Sequence, residues 1–237
     1  MQLRNRYHPC WILLNEVFIH MHLRKKPWAR PELNACPYYE HFPADFRGKW
    51  RERFSSSQPL HLEIGCGKGV STSEMVYSNQ DTNFIVLDVI SDILGYTRRN
   101  IAKHFGDEPI SNVLITRHNV EMIQEIFSKD DKIERLYIHF CNPWSERKKH
   151  YKRRLTHPKQ LNQYLTFLTD DAEVWFKTDS DSLFEDSMQY FDECGFKIRY
   201  CTYDLAKSGF SPNYISEHED KYRSQGVPIK FLIAKRI

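Results

Sequence analysis

The chain has 237 residues, 41% hydrophobic and 27% charged, which suits one sizeable folded domain with appendages and excludes a disordered or low-complexity chain. Its net charge of +3 is too small to argue for a partner by itself; where the charges sit matters more. No run approaches the ~20 apolar residues that cross a bilayer, and the six cysteines form no CxxC pair and no Cys/His cluster with zinc spacing, so they read as reduced thiols of a cytoplasmic protein without a metal.

Residues 1–20 include WILLNEVFIH, an apolar stretch interrupted by Asn15 and Glu16 and followed by no small-residue cleavage site. They are expected to be an extension outside the fold, with Met21 as an alternative start. Residues 21–58 open with HLRKKPWARPELN, basic and proline-punctuated, and are expected to form an arm lying over a surface. From residue 59 onward the pattern alternates. Strand-like runs occur at 60–65, 83–89, 112–116, 134–140, 172–178, 196–203 and 229–235, with helical stretches near 70–79, 91–105, 120–128, 156–169, 181–194 and 214–225. That order implies a doubly wound, seven-stranded, mostly parallel α/β sheet, whose site lies beyond the C-terminal strand ends. Glu63, Asp88, Asn142 and Asp179 fall at or just past such ends, with Asn119 slightly further on.

The first strand runs into LHLEIGCGKGVS. A Walker loop would need Ser or Thr after Lys68, where Gly69 stands, and a dinucleotide fingerprint would need glycine where Val70 stands. What remains is ExGxGxG, built on Gly65, Gly67 and Gly69. Close glycines admit a ligand to the backbone, but Glu63 would repel a pyrophosphate and suits a sulfonium or ammonium group. S-adenosyl-L-methionine carries both cations and no phosphate. Asp88 is placed for its ribose hydroxyls, and Asn119 for the adenine amino group. His61 is expected to face away from this site, and His139 to be a packed strand histidine.

Beyond the fourth predicted strand comes CNPWSERKKHYKRRL, with six Lys or Arg among the eight residues from Arg147 to Arg154. A charge run is usually a solvated face. Here it follows the catalytic edge and Trp144, which favours a polyanion with stackable bases.

HLEIGCGKG, FIVLD, FCNPW with KRRLTHP, FKTDSDSLF and SEHEDKY, in this order from Met21 to Ile237, together resemble the bacterial tRNA (guanine-N7-)-methyltransferases of the TrmB type. The resemblance implies a Rossmann-like class I fold dependent on S-adenosyl-L-methionine, methylating N7 of a guanosine at position 46 of the tRNA variable loop. It implies donor contacts from Glu63, Asp88, Asn119 and Asn142, and tRNA contacts from Arg147, Asp179, Ser216, Glu217, His218 and Glu219. Two departures stand out. The family's DPWPK motif is here Asn142-Pro143-Trp144-Ser145-Glu146, so the usual catalytic aspartate is an amide, and Arg147 matches the family's lysine only if one residue is inserted. SEHE replaces the common TEYE. Because guanine N7 carries a lone pair and no proton, Asn142 is expected to position rather than deprotonate. Two alternatives remain: methylation of an exocyclic amino group, suggested by Asn-Pro-Trp, and a non-catalytic tRNA-binding relative.

Overall fold

The computed structural model describes residues 25–236; the expected extension of residues 1–20 and the start of the arm lie outside them. One sheet of eight strands organises the chain: β1 (Tyr39–Glu40), β2 (Leu60–Ile64), β3 (Asn83–Asp88), β4 (Val113–Arg117), β5 (Ile133–His139), β6 (Leu168–Thr178), β7 (Phe196–Thr202) and β8 (Lys230–Arg236). Their spatial order is β1-β4-β3-β2-β5-β6-β8-β7. β8 runs antiparallel to β6 and β7, and every other pairing is parallel. The seven expected strands are all present, and β1 adds a short eighth at the edge beside β4. The chain winds outward from β2 and returns to β5, so the topological switch point falls between these two neighbours.

Two-residue alternation divides the sheet into faces of different chemistry. Leu62, Ile64, Leu136, Ile138, Val174 and Phe176 are fully buried and make an apolar face. The alternate positions carry His61, Glu63, Tyr137, His139, Trp175 and Lys177. His61 therefore shares the face of Glu63, contrary to expectation, because positions 61 and 63 have the same parity. Its Nδ1 lies 3.3 Å from Tyr137 Oη, and burial, with Arg135 nearby, pushes the imidazole down to about 3. Much of this face is covered by residues 203–228, where Leu205, Phe210 and Tyr222 pack with Ile229, Phe231 and Trp175 in a second, smaller core.

Six helices complete the layers: α1 (Ala29–Asn34), α2 (Val70–Ser78), α3 (Ser91–Phe105), α4 (Pro158–Tyr164), α5 (Asp181–Glu193) and α6 (Glu217–Ser224). The expected helix over 156–169 is shorter, because its last residues enter β6 and Phe167 O accepts from Ile133 N at 2.9 Å. The stretch near 120–128 forms a 3-10 turn over Val120–Glu125, and the basic run a second over Lys148–Arg153. The arm is more than a surface strap. Leu33, Tyr38, Trp50 and Phe54 are buried in the main core, and Trp50 Nε1 donates to Ile126 O at 2.7 Å.

The turn after β2 is fixed by α3. Thr97 Oγ1 donates to Gly67 O at 2.8 Å, and Gly67 and Gly69 have φ of +58° and +71°. A Cβ at residue 69 would come within 2.5 Å of Thr97 Cγ2, whereas one at 67 would meet nothing. Gly67→Ala is therefore expected to cost only the left-handed backbone penalty, about 1–2 kcal/mol, and Gly69→Ala distinctly more. Urea unfolding of the two variants checks this; equal losses would contradict the packing.

Candidate active site

The ends of β2 and β5 meet the first turn of α6 around a cleft of about 180 Å³ lined by Glu63, Gly65 to Ser71, His139, Phe140 and Ser216 to His218, with the ends of β3 and β6 behind this lining through Asp88 on Gly67 and Asp179 on His218. The ends of β2, β3 and β5 hold their polar groups in place through backbone contacts. Gly65 N donates to Leu87 O at 2.8 Å, which ties the glycine turn to β3. Asp88 then reaches back across the turn, accepting from Gly67 N at 3.3 Å and Ile90 N at 2.9 Å. Burial raises its carboxyl above the ordinary range despite these backbone donors.

Glu63 is 2% exposed and accepts from Thr72 Oγ1 on α2 at 2.6 Å. Burial pushes its carboxyl up to about 7, with the Thr72 bond and Lys177 opposing the rise and Asp88 adding to it. His139 Nδ1 lies 3.9 Å from Glu63 Oε1, but burial and Lys177 hold this imidazole well below its usual range, so it stays neutral. Its Nε2 is buried with no hydrogen-bond partner among the described residues. The cleft thus offers a carboxylate short of a counter-cation and an unpartnered imidazole nitrogen. Lys68 is the one lysine or arginine along its lining, so the set suits a cationic ligand and not a pyrophosphate.

On the opposite wall, Ser216 Oγ caps α6 by accepting from Glu219 N at 3.1 Å. His218 Nε2 lies 3.1 Å from Asp179 Oδ1, and its ring packs 4.7 Å from that of Phe140. Burial would raise the Asp179 carboxyl, but the His218 contact and Lys230 outweigh it and the net shift is downward. Glu217 is half-exposed and pairs with Lys68 Nζ at 2.9 Å. Glu219 departs from the expected role: it is fully buried, with Lys177 Nζ at 3.2 Å, Asn213 Nδ2 at 2.8 Å and Arg223 at 3.6 Å. Its oxygens hold α6 to the end of β6 and are closed to a guanine.

Asn142 is exposed beyond β5, and its Oδ1 accepts from Trp144 N at 2.9 Å. That bond closes a local turn in which Trp144 takes φ +48°. Arg154, fully buried, donates to Pro143 O at 2.7 Å and pairs with Asp186 at 2.5 Å, anchoring the loop to α5. One arginine of the basic run is thus structural, while Arg147, Lys148 and Lys149 are exposed and Arg153 lies 5.1 Å over the Trp144 ring. Asn119 is exposed and caps the 3-10 turn by accepting from Glu121 N at 3.1 Å. It follows His118, whose N donates to Asp88 O at 3.2 Å, so it stands at the Asp88 end of the site. Val89, Ile90 and Met122 are exposed apolar residues at this same end. They were missed in the sequence because single apolar residues at strand ends look like core. Among the described residues no three His, Cys, Asp or Glu side chains form a metal-binding group, and Cys36, Cys66, Cys141, Cys194 and Cys201 are free thiols.

Solved structures share this architecture. One described as an antibiotic-related methyltransferase superposes with a TM-score of 0.57 at 16% identity, covering 79% of this chain and 92% of its own. The 16S rRNA methyltransferase KamB gives the same TM-score and coverage at 13% identity. A family model described as "Putative methyltransferase" matches residues 57–232. Fold and site together define a Rossmann-like class I methyltransferase. Sequence relatives narrow the class: the tRNA (guanine-N(7)-)-methyltransferase of Ruminiclostridium cellulolyticum is 49% identical over 91% of this chain and 92% of its own, and that of Clostridium beijerinckii is 46% identical over 91% and 99%. The chain belongs to the bacterial tRNA (guanine-N7)-methyltransferase family and is an enzyme.

The two glutamates of α6 are expected to separate in their effects. Glu219→Ala leaves Lys177 buried and short of its counter-charge and is expected to cost about 3–5 kcal/mol, whereas Glu217→Ala is expected to cost under about 1 kcal/mol. Chemical denaturation measures both; a Glu219 variant as stable as the parent would contradict the buried pair.

Proposed function

We propose that the enzyme transfers the methyl group of S-adenosyl-L-methionine to N7 of a guanosine in tRNA, at variable-loop position 46, in the cytoplasm. The observation that carries the donor assignment is Glu63, a buried carboxylate held near its point of ionisation beside a glycine turn. S-adenosyl-L-methionine supplies a methyl group on a sulfonium. Glu63 supplies the negative charge that holds the donor's cationic end, and Asp88 accepts from the ribose hydroxyls with the lone pairs left by Gly67 and Ile90. Asn119 meets the adenine edge, with Val89, Ile90 and Met122 as apolar flanks.

The acceptor tRNA is supported by the family and by the exposed basic run beside Asn142. Arg147 and its neighbours hold phosphates, while Asp179, Ser216, Glu217 and His218 border the guanosine. N7 attacks through its in-plane lone pair: the N7–CH₃ bond forms as the S–CH₃ bond breaks, the bonding pair stays on sulfur, and the base becomes cationic. No proton moves, so no base is required. The chain's task is alignment, a contribution worth up to about 7–11 kcal/mol of a barrier. Asn142 serves it from a fixed turn, because Oδ1 is held by Trp144 N and the amide nitrogen is left to donate. The guanine edge beside N7 presents O6 as an acceptor for that donor.

Incubation of unmodified tRNA with methyl-labelled donor, followed by nucleoside analysis, is expected to yield labelled 7-methylguanosine. Label on an exocyclic amino group, or none, would overturn the reading. Asn142→Ala is expected to lower kcat/KM for tRNA by about 10-fold or more, consistent with loss of a hydrogen bond. Asn142→Asp tests the chemistry: a general base typically contributes about 10²–10⁴-fold, so a gain of that size on restoring the carboxylate would show that deprotonation matters. The expected change is below about tenfold.

A further inference from the structure

The two walls of the cleft are joined across its mouth by one ion pair, Lys68 Nζ to Glu217 Oε2 at 2.9 Å. Lys68 belongs to the glycine turn and Glu217 opens α6, so the bond connects the donor side of the site to the acceptor side. Both side chains are about half exposed, at 46% and 54%. An ion pair this wet is weakly held, which is what an exchangeable contact needs.

Lys68 is well placed for a second partner. Its carbonyl accepts from Asn100 Nδ2 at 2.8 Å, which anchors its backbone to α3. Its ammonium lies 5.9 Å from the Tyr96 ring centroid, and α2 begins two residues later, adding the positive end of a helix. The amino-acid tail of the proposed donor carries an α-carboxylate as well as an ammonium group. Glu63 has the wrong charge for that anion, the neutral His139 brings no full positive charge to it, and Lys68 is the one lysine or arginine along the cleft.

Resting on the donor reading above, we propose that Lys68 is the receptor for the donor's α-carboxylate and that Glu217 occupies it until the donor arrives. Donor binding then frees Glu217 to accept from the N–H groups of the guanosine. The helix need not detach when the pair breaks. Ser216 still caps it, Glu219 still anchors it to Lys177, and His218 still contacts Asp179. Only the Glu217 side chain changes partner, so the donor makes the acceptor site competent without moving the fold.

Calorimetric titration of the full chain with two ligands tests this: S-adenosylhomocysteine, which has the amino-acid tail, and 5′-methylthioadenosine, which lacks it. Lys68→Met is expected to weaken S-adenosylhomocysteine about tenfold or more, the scale of a charge-assisted contact, and to leave 5′-methylthioadenosine unchanged. Glu217→Gln removes the competitor and is expected to tighten S-adenosylhomocysteine about two- to fivefold, the scale of an exposed pair, again without effect on 5′-methylthioadenosine. Unmodified tRNA is expected to bind the parent protein more tightly with S-adenosylhomocysteine present, and not with 5′-methylthioadenosine. Equal weakening of both ligands by Lys68→Met would show that Lys68 merely supports the turn, and no weakening of either would remove it from the site. Weaker S-adenosylhomocysteine binding in Glu217→Gln, or equal enhancement of tRNA binding by both ligands, would overturn the exchange. A parent protein that binds neither ligand would overturn the donor reading itself.

Discussion

Burial of the Glu63 carboxylate is the constraint on which the site depends. At 2% exposure, with Thr72 as its hydrogen-bond donor, it stands near neutrality on the pH scale with a carboxyl pushed up to about 7. Removing a carboxylate from water is costly unless a cation meets it. The neighbouring His139 cannot serve, since burial keeps it neutral. Lys177 contributes charge from the next strand, but its ammonium is committed to Glu219, Asn213 and Tyr214 O. Glu63 is therefore left without a dedicated counter-cation beside the open glycine turn, and this is what the proposed donor reading rests on.

The rest of the site follows from where neighbouring strands end. β2, β3 and β5 deliver Glu63, Asp88 and Asn142 around the switch point through parallel ladders that fix their relative height. The acceptor side uses a different device. Residues 203–228 fold over the polar face of the sheet, and the Lys177–Glu219 pair fastens α6 there, so its first turn faces the glycine turn. A site assembled this way fixes the position of its polar groups before any ligand enters.

Much of this was legible in the sequence where local pattern and tertiary demand agree. Leu60 to Ile64 followed by three glycines reads as strand and turn because both periodicity and backbone freedom point one way, and Asp88 ends an apolar run that has few other uses. The arm was less legible. Ala29–Asn34 contains Pro31 and is too short for a periodic signal, and its helix is held by Ala29 against Gly95 and Glu32 against Arg98 and Arg99. Glu219 is illegible for a related reason: beside an exposed Glu217 it looks like another surface acid, and only the distant Lys177 shows it to be internal. Arg154, one cation in a run of six, is buried against Asp186 thirty-two residues away, a contact composition does not reveal. His61 needs no tertiary information: two-residue alternation alone puts it on the face of Glu63.

The role given to Glu63 is tested most directly by the pH dependence of donor affinity. Protonation of Glu63 competes with binding of a cation, so affinity for S-adenosyl-L-methionine, measured by titration from pH about 7.5 down to about 5.5, should fall below pH about 7. The fall should approach roughly tenfold per pH unit, the limit for one competing proton. Glu63→Gln, which cannot ionise, should bind weakly and lose this dependence. A parent protein whose affinity is flat across that range, or a Gln variant that keeps the same slope, would contradict the account.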